Sequence, residues 1–295
     1  MQKHSLLGLS AGLIAASIWG GMYVVSKVVL EVIPPFALLA TRLILGIISL
    51  GIVIAFRPRV TMTRGQFWSS FLVGFVGYGI SLGFQFVGTK LSTASNGSLV
   101  TSATPAFVLL FAPFLLGEKT TARRLIALAI STLGVVAVID PRNAELSPSL
   151  FWGNMSLLAA ALTWALYSVL VRKVARTGDL LTSSAVMLAG GIPSSLLFGF
   201  FEIQSHGLGE ITLGIIGGIL FLGIISTAIA MFLWNYAFAE LPAAVASLTF
   251  FAQPVVGTIL GALFLGEEIT RLFLIGGALI GVGLFIASWQ SDKAG

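Results

Sequence analysis

Apolar residues in this 295-residue chain come in long unbroken runs rather than in alternation. Ten such runs lie near 6–26, 35–56, 66–87, 93–116, 123–139, 150–171, 180–201, 211–238, 243–265 and 271–289, with short polar linkers between them. A helix crossing the hydrocarbon of a bilayer needs about 20 mostly apolar residues, and the runs approach or exceed that length. Barrel strands would instead alternate over about 10 residues. The predicted fold is therefore an all-α integral membrane protein with ten transmembrane helices. The longest linker, near 140–149, holds Pro141 and Pro148, and no soluble domain is expected. The first run is too long for a signal-peptide core and no convincing small-x-small cleavage site follows it, so it reads as a retained helix.

Composition narrows the class further. Hydrophobic residues make up 57% of the chain and charged residues only 9%, against roughly 25% charged in soluble domains. Soluble, disordered and fibrous classes are excluded. Cysteine is absent, which removes disulfides, thiolate nucleophiles and Cys-ligated metals. The net charge of +5 reads as loop charge facing the cytoplasm rather than as a nucleic-acid surface. With the N-terminus inside, eleven Lys and Arg residues fall on the cytoplasmic side and four on the other. The positive-inside rule then places both termini in the cytoplasm.

The two halves resemble one another. Gly8, Trp19 and Lys27 match Gly153, Trp164 and Arg172 at an offset of 145. Thr104-Pro105 precedes Gly117-Glu118 as Gln253-Pro254 precedes Gly266-Glu267, at an offset of 149. Each half, 1–145 and 146–295, would hold five spans. Five is odd, so the second copy would enter the membrane inverted, a recurring design in transporters.

Trp19-Gly20 in the first span, Pro34 and Arg42 around the second, and the Pro–Gly–Glu pattern ending the fourth and ninth resemble the drug/metabolite transporter superfamily, in its ten-helix EamA-type branch. The resemblance covers nearly the whole chain and looks nearest to bacterial aromatic amino-acid exporters. It implies a bacterial inner-membrane location, a central cavity between the halves and alternating access. Small multidrug relatives carry a coupling carboxylate in the first helix. Here that depth holds the apolar and aromatic stretch Ala16–Tyr23, and all 11 acidic residues fall in linkers or at span ends. Downhill carriage and coupling through a span-end acid both stay open.

Candidate substrate-binding residues are polar or aromatic groups at helical spacing. Arg42 is the one deep charge, either drawing a substrate carboxylate or bonded structurally to its surroundings. Tyr78, Ser81 and Gln85 share a face of the third span. Ser98, Thr101 and Ser102 share one in the fourth, with Pro105. Trp234 and Asn235, near Thr227, mark the eighth span, and Gln253 lies four residues past Thr249 in the ninth. Trp19 and Tyr23 in the first span are echoed by Trp164 and Tyr167 in the sixth. Pro105 and Pro254 are expected to break their helices in mid-span. Gly pairs four apart (8/12, 79/83, 214/218, 257/261, 277/281) suit close helix approach.

No metal ligand cluster, cofactor motif or catalytic constellation appears in the spans, and an enzyme is not expected. A channel would need a selectivity filter or ring of charge, which the chain does not offer. The expected function is secondary export of small organic solutes, foremost aromatic or hydrophobic amino acids. Nucleobase-like or quaternary ammonium solutes are the alternative. The expected partners are that substrate and the lipid bilayer, with no nucleic acid, and a monomer would suffice.

Overall fold

The computed structural model describes residues 3–92, 97, 100–139, 150–265 and 271–288. Of these, 87% are helical and none is in a strand. In chain order the segments are α1 (Lys3–Val29), α2 (Pro35–Ala55), α3 (Arg64–Leu91), α4 (Thr104–Leu116), α5 (Ala122–Ile139), α6 (Phe151–Ala175), α7 (Leu180–His206), α8 (Leu213–Glu240), α9 (243–265) and α10 (Arg271–Ser288). Six of them, α1, α2, α3, α6, α7 and α8, are long and apolar enough to cross a membrane, and shorter apolar helices fill out the rest. Ile14, Val28, Ile48, Leu133, Phe200 and Phe285 point outward. That apolar coat suits a protein whose solvent is lipid. The chain is an integral membrane protein of packed helices.

Starts and stops follow local chemistry. Thr63 and Gln66 form a reciprocal capping box at the head of α3. Asp179 caps α7 by accepting from the Thr182 N–H at 2.9 Å and its hydroxyl at 2.8 Å. Pro35 occupies the first turn of α2, where its missing N–H costs nothing. The free N–H groups of Phe36 and Ala37 are instead met by Glu202 Oε2, at 2.7 and 3.4 Å, from the far end of α7. Gly117 ends α4 in the left-handed region, φ 67°, a conformation glycine adopts without a Cβ penalty. This explains the Gly-Glu landmark: the glycine turns the chain and the next residue, Glu118, lands on Arg172. The matching Gly266-Glu267 lies outside the described residues.

Three departures from the simple reading matter for the site. The third and eighth spans are not uniform α-helices: each passes through a π-helical stretch, Phe75–Ser81 and Phe221–Ile229. Pro105 and Pro254 stand in the first turn after a discontinuity rather than in the middle of a bent helix. Turn residues Ser102–Ala103 precede Thr104–Leu116, and the 3-10 turn Thr249–Phe251 separates Ala243–Leu248 from Ala252–Leu265. A proline disfavours helical backbone in the residue before it and lacks the N–H to bond backwards, so the break falls upstream. The glycine pairs divide too. Gly12 packs tightly on Thr249 and Gly83 on Phe36, whereas Gly277 and Gly281 meet nothing within 4 Å.

Helix pairings come in matched sets. α1 packs on Ala230–Glu240 of α8 and on α9, as α6 packs on Leu82–Leu91 of α3 and on α4. α2 lies on the π-helical stretch of α8, and Leu180–Gly190 of α7 lies on α3. α2 packs on α7 and α5 on α10. Exchanging the first five segments for the last five turns each pairing into another on the same roster.

Candidate functional site

Where α1, α3, α4, α6, α8 and α9 converge, an interior cavity of about 350 Å³, counting the space at its mouth, is lined by Trp19, Tyr23, Ser81, Gln85, Thr101, Thr104, Trp164, Met231, Phe250 and Gln253, with Met22, Leu82, Ala160 and Ala161. Trp19 and Trp164, counterparts in the two halves, meet edge to face with ring centres 5.6 Å apart. Phe250 extends the aromatic wall, 6.0 Å from Trp19, and Trp234 packs behind it, 5.3 Å from Trp19. Such edge-on packing fixes both indoles against rotation. The Trp19 Nε1 donates to the Ser226 carbonyl at 3.1 Å.

Polar groups on the wall are anchored by backbone. Ser81 donates to the Ala160 carbonyl at 2.8 Å and Thr104 to the Ala161 carbonyl at 3.5 Å. Small residues at 160 and 161 let the helices come close enough for these bonds. The Tyr23 and Thr101 hydroxyls lie 2.9 Å apart. Among the described residues two buried donors on the wall make no well-aligned hydrogen bond: Trp164 Nε1 and Gln253 Nε2. No carboxylate lines the cavity.

Behind the wall lie two polar nests. In the first, Arg42 is fully buried and does not snorkel. It donates from Nε to Thr227 Oγ1 at 2.7 Å, from Nη2 to Ser226 Oγ at 3.3 Å and from Nη1 to Met22 Sδ at 3.7 Å. Its guanidinium sits 5.1 Å from the Phe86 ring centre, a cation–π contact. Among the described residues no carboxylate pairs with it. In the second nest, Tyr167 donates to Asn235 Oδ1 at 2.6 Å and bonds to Tyr78, and Asn235 Nδ2 donates to Ser184 Oγ at 3.0 Å. Met187 Sδ receives Tyr167 and Asn235, each at 3.9 Å. Met22 and Arg42 of the first nest precede Tyr167 and Met187 of the second by 145 residues, and Tyr78 and Phe86 precede Thr227 and Asn235 by 149. Only one carries a charge.

The structure thus divides the sequence candidates. Trp19, Tyr23, Ser81, Gln85, Thr101, Trp164 and Gln253 line the cavity. Arg42, Tyr78, Tyr167, Trp234 and Asn235 are buried behind it, with Trp234 Nε1 donating to Ser168 at 3.0 Å. Ser102 is buried away from the lining, and Ser98 lies outside the described residues. Tyr78 leaves the face it was expected to share with Ser81 and Gln85 because the π-helical stretch takes more residues per turn and rotates that face. Met22, Leu82, Thr104, Met231 and Phe250 were not anticipated. Phe250 is brought to the cavity by the 3-10 turn ahead of Pro254, a consequence the proline alone signals.

A lipid-facing helical shell around an interior cavity, with buried polar walls and no cluster of metal-ligating residues among those described, is the design of a membrane transporter. The profile of the EamA-like transporter family matches residues 6–139 and again 151–289. The chain therefore belongs to the EamA-like transporter family. It is similar to an uncharacterized transporter, YoaV, of Bacillus subtilis, at 24% identity over 94% of either chain. It is also similar to a probable amino-acid metabolite efflux pump of Escherichia coli, at 27% identity over 93% of this chain and 92% of the pump. A crystal structure of a protein with 21% identity superposes with a TM-score of 0.77, over 95% of this chain and 96% of that one.

Proposed function

We propose that this transporter exports small organic solutes, foremost aromatic or hydrophobic amino acids, by alternating access through the central cavity. Its ten helical segments are read as two inverted five-helix repeats, 1–145 and 146–295, in a bacterial inner membrane with both termini in the cytoplasm. The observation that carries the reading is the cavity itself. It is walled by residues of both halves, flat aromatic faces with a few polar groups between them, and it excludes acidic side chains. A flat apolar side chain suits the indoles, and polar wall groups orient its head. The matched helix pairings and the twice-matching family profile support the repeat, because two equivalent halves can exchange roles as the cavity turns from one compartment to the other. The amino-acid metabolite efflux pump of similar sequence supports the substrate class.

The test is counterflow in proteoliposomes with labelled Phe, Trp, Thr and Met. Saturable exchange of Phe and Trp is expected. Folded protein that moves none of the four ends the substrate assignment, and flux without saturation or counterflow points to a channel.

A further inference from the structure

Trp164 Nε1 and Gln253 Nε2 are buried donors that line one cavity, and neither makes a well-aligned hydrogen bond among the described residues. A buried donor without an acceptor is costly, so such groups ordinarily mark a missing acceptor. They come from α6 and α9 and so belong to separate segments that converge only at the cavity. The Gln253 carboxamide is within hydrogen-bond reach of the Tyr23 hydroxyl, which also has the Thr101 hydroxyl at 2.9 Å; a carboxamide nitrogen carries two hydrogens, so one stays open to the cavity. Charge points the same way. The one buried guanidinium, Arg42, stands behind Met22 on the same wall with no carboxylate against it, and no carboxylate faces the cavity. The two open donors and the buried guanidinium favour an acceptor or an anion, and among the described residues no carboxylate is provided for an ammonium group.

We propose that Trp164 Nε1 and Gln253 Nε2 together bind the carboxylate of the substrate, and that the substrate's amino group is dispensable. The substrate class is then aromatic and hydrophobic monocarboxylates, of which amino acids are one subset. This deepens the transport reading and rests on it. Loss of the charge-bearing head group costs more than loss of the amine, because a hydrogen bond to an ionised group is roughly twice as strong as a neutral one.

The experiment separates the two ideas by reading binding and transport apart. Purified protein in detergent is titrated with 3-phenylpropionate, phenylalanine and phenylalaninamide, with thermal stabilisation as the readout. The same three compounds then compete against labelled Phe counterflow in proteoliposomes. Phenylpropionate and phenylalanine are expected to stabilise and compete, and phenylalaninamide to do neither. W164F keeps the ring and removes only the N–H; Q253M keeps length and removes the donor. Each is expected to weaken phenylpropionate binding by roughly tenfold or more. Phenylalaninamide acting as well as phenylalanine, or both variants binding phenylpropionate as wild type does, overturns the proposal. Binding with this selectivity but no counterflow leaves the carboxylate subsite standing and removes the transport reading. Absence of binding by both acids removes the subsite. The comparison of acid with amide on the unaltered protein needs no variant to fold.

Discussion

Lys27 and Arg172, 145 residues apart in sequence, each grip a set of carbonyls at the end of a helix. Lys27 Nζ donates to the carbonyls of Thr89, Lys90 and Ser92 at 3.1, 3.3 and 2.6 Å. Arg172 Nη1 donates to those of Phe238 and Ala239 at 2.9 and 3.3 Å and to that of Leu241. Each acceptor in the second set lies 149 residues after its match in the first, the same spacing as the proline landmarks. Both cations therefore satisfy the orphan carbonyls at the C-terminal end of the helix two ahead, where the helix dipole also favours positive charge.

Arg172 carries a second duty that makes it the more costly of the two to lose. Its Nε lies 3.0 Å from Glu118 Oε1, and Arg124 lies 3.5 Å from Glu118 Oε2. Glu118 Oε1 also accepts the Ala243 N–H at 3.1 Å. One carboxylate thus joins the ends of α4 and α6 to the start of α9. R172A leaves that carboxylate without its nearer cation, and about 3 kcal/mol of stability is expected to go, the low end for a broken buried pair because both side chains keep some exposure. K27A is expected to cost about 1–2 kcal/mol. Thermal unfolding in detergent measures both, and an R172A–E118A double-mutant cycle isolates the pair.

Arg42 and Met187 give a test of charge against shape. Replacing a buried charge with an apolar side chain of similar length is often neutral or stabilising. R42M would copy Met187 into the equivalent nest. Thr227 keeps its hydroxyl bonded to the Leu222 carbonyl at 2.7 Å, so that donor is not stranded when the Arg42 bonds to Thr227 and Ser226 are lost. Stability within about 1 kcal/mol of wild type is expected, together with a clear fall in Phe counterflow. A variant that transports normally would make Arg42 a structural residue alone.

Y167F probes the other nest. It removes the hydroxyl shared by Tyr78 and Asn235. Hydrogen bonds between membrane helices average about 0.6 kcal/mol, and with two partners affected a loss of about 1 kcal/mol is expected. Because Tyr167 does not line the cavity, the ranking of substrates should stay fixed while overall activity falls. W19A, on the cavity wall, is expected to change that ranking.

These contrasts show what was legible in sequence. The helical membrane architecture follows from run length and charge scarcity alone, since both are demands of the bilayer. Several sequence landmarks took on physical meaning in the structure: Gly117 makes a left-handed turn, Glu118 meets Arg172, and Trp19 packs on Trp164. The π-helical stretches were not legible, because they depend on which carbonyls neighbouring helices and hydroxyls such as Thr227 satisfy. That is why Ser81 and Gln85 lie on the cavity lining while Tyr78, counted at 3.6 residues per turn, does not. Arg42 was recognised as deep, but its partners Met22, Ser226 and Thr227 lie on helices whose packing no local pattern specifies.

Asp179 supplies a pH dependence with a definite sign. Burial alone would raise its carboxyl, but the Thr182 N–H and hydroxyl and the Arg57 guanidinium favour the ionised form and hold it below the ordinary carboxylate value. The stability this contributes is fully present above the unfolded-state value and is lost as pH falls through the lower folded-state one. D179N keeps a competent N-cap but no charge, so its melting temperature should change less than that of wild type as pH is lowered through that window. D179A should cost about 1 kcal/mol near neutrality, the usual loss for a deleted cap.

Glycine substitutions separate contact from composition. At Gly190 of α7 an added Cβ would strike the Phe71 carbonyl and come within 2.7 Å of Phe75 N. Both are backbone of α3, so no side chain can rotate out of the way and the helices must part. Overpacking of that kind costs about 1–3 kcal/mol, and G190A is expected to reach the upper end. It should also disturb the start of the π-helical stretch at Phe75 and with it the setting of Ser81 and Gln85, so transport falls along with stability. Gly281 of α10, by contrast, is one of a pair four apart, yet it is exposed with nothing within 4 Å. There alanine only removes backbone freedom, worth about 0.5–1 kcal/mol in favour of the helix. G281A is therefore expected to be neutral or slightly stabilising. A thermal shift of the same sign for both would mean that α3 and α7 do not meet as closely as their glycines allow.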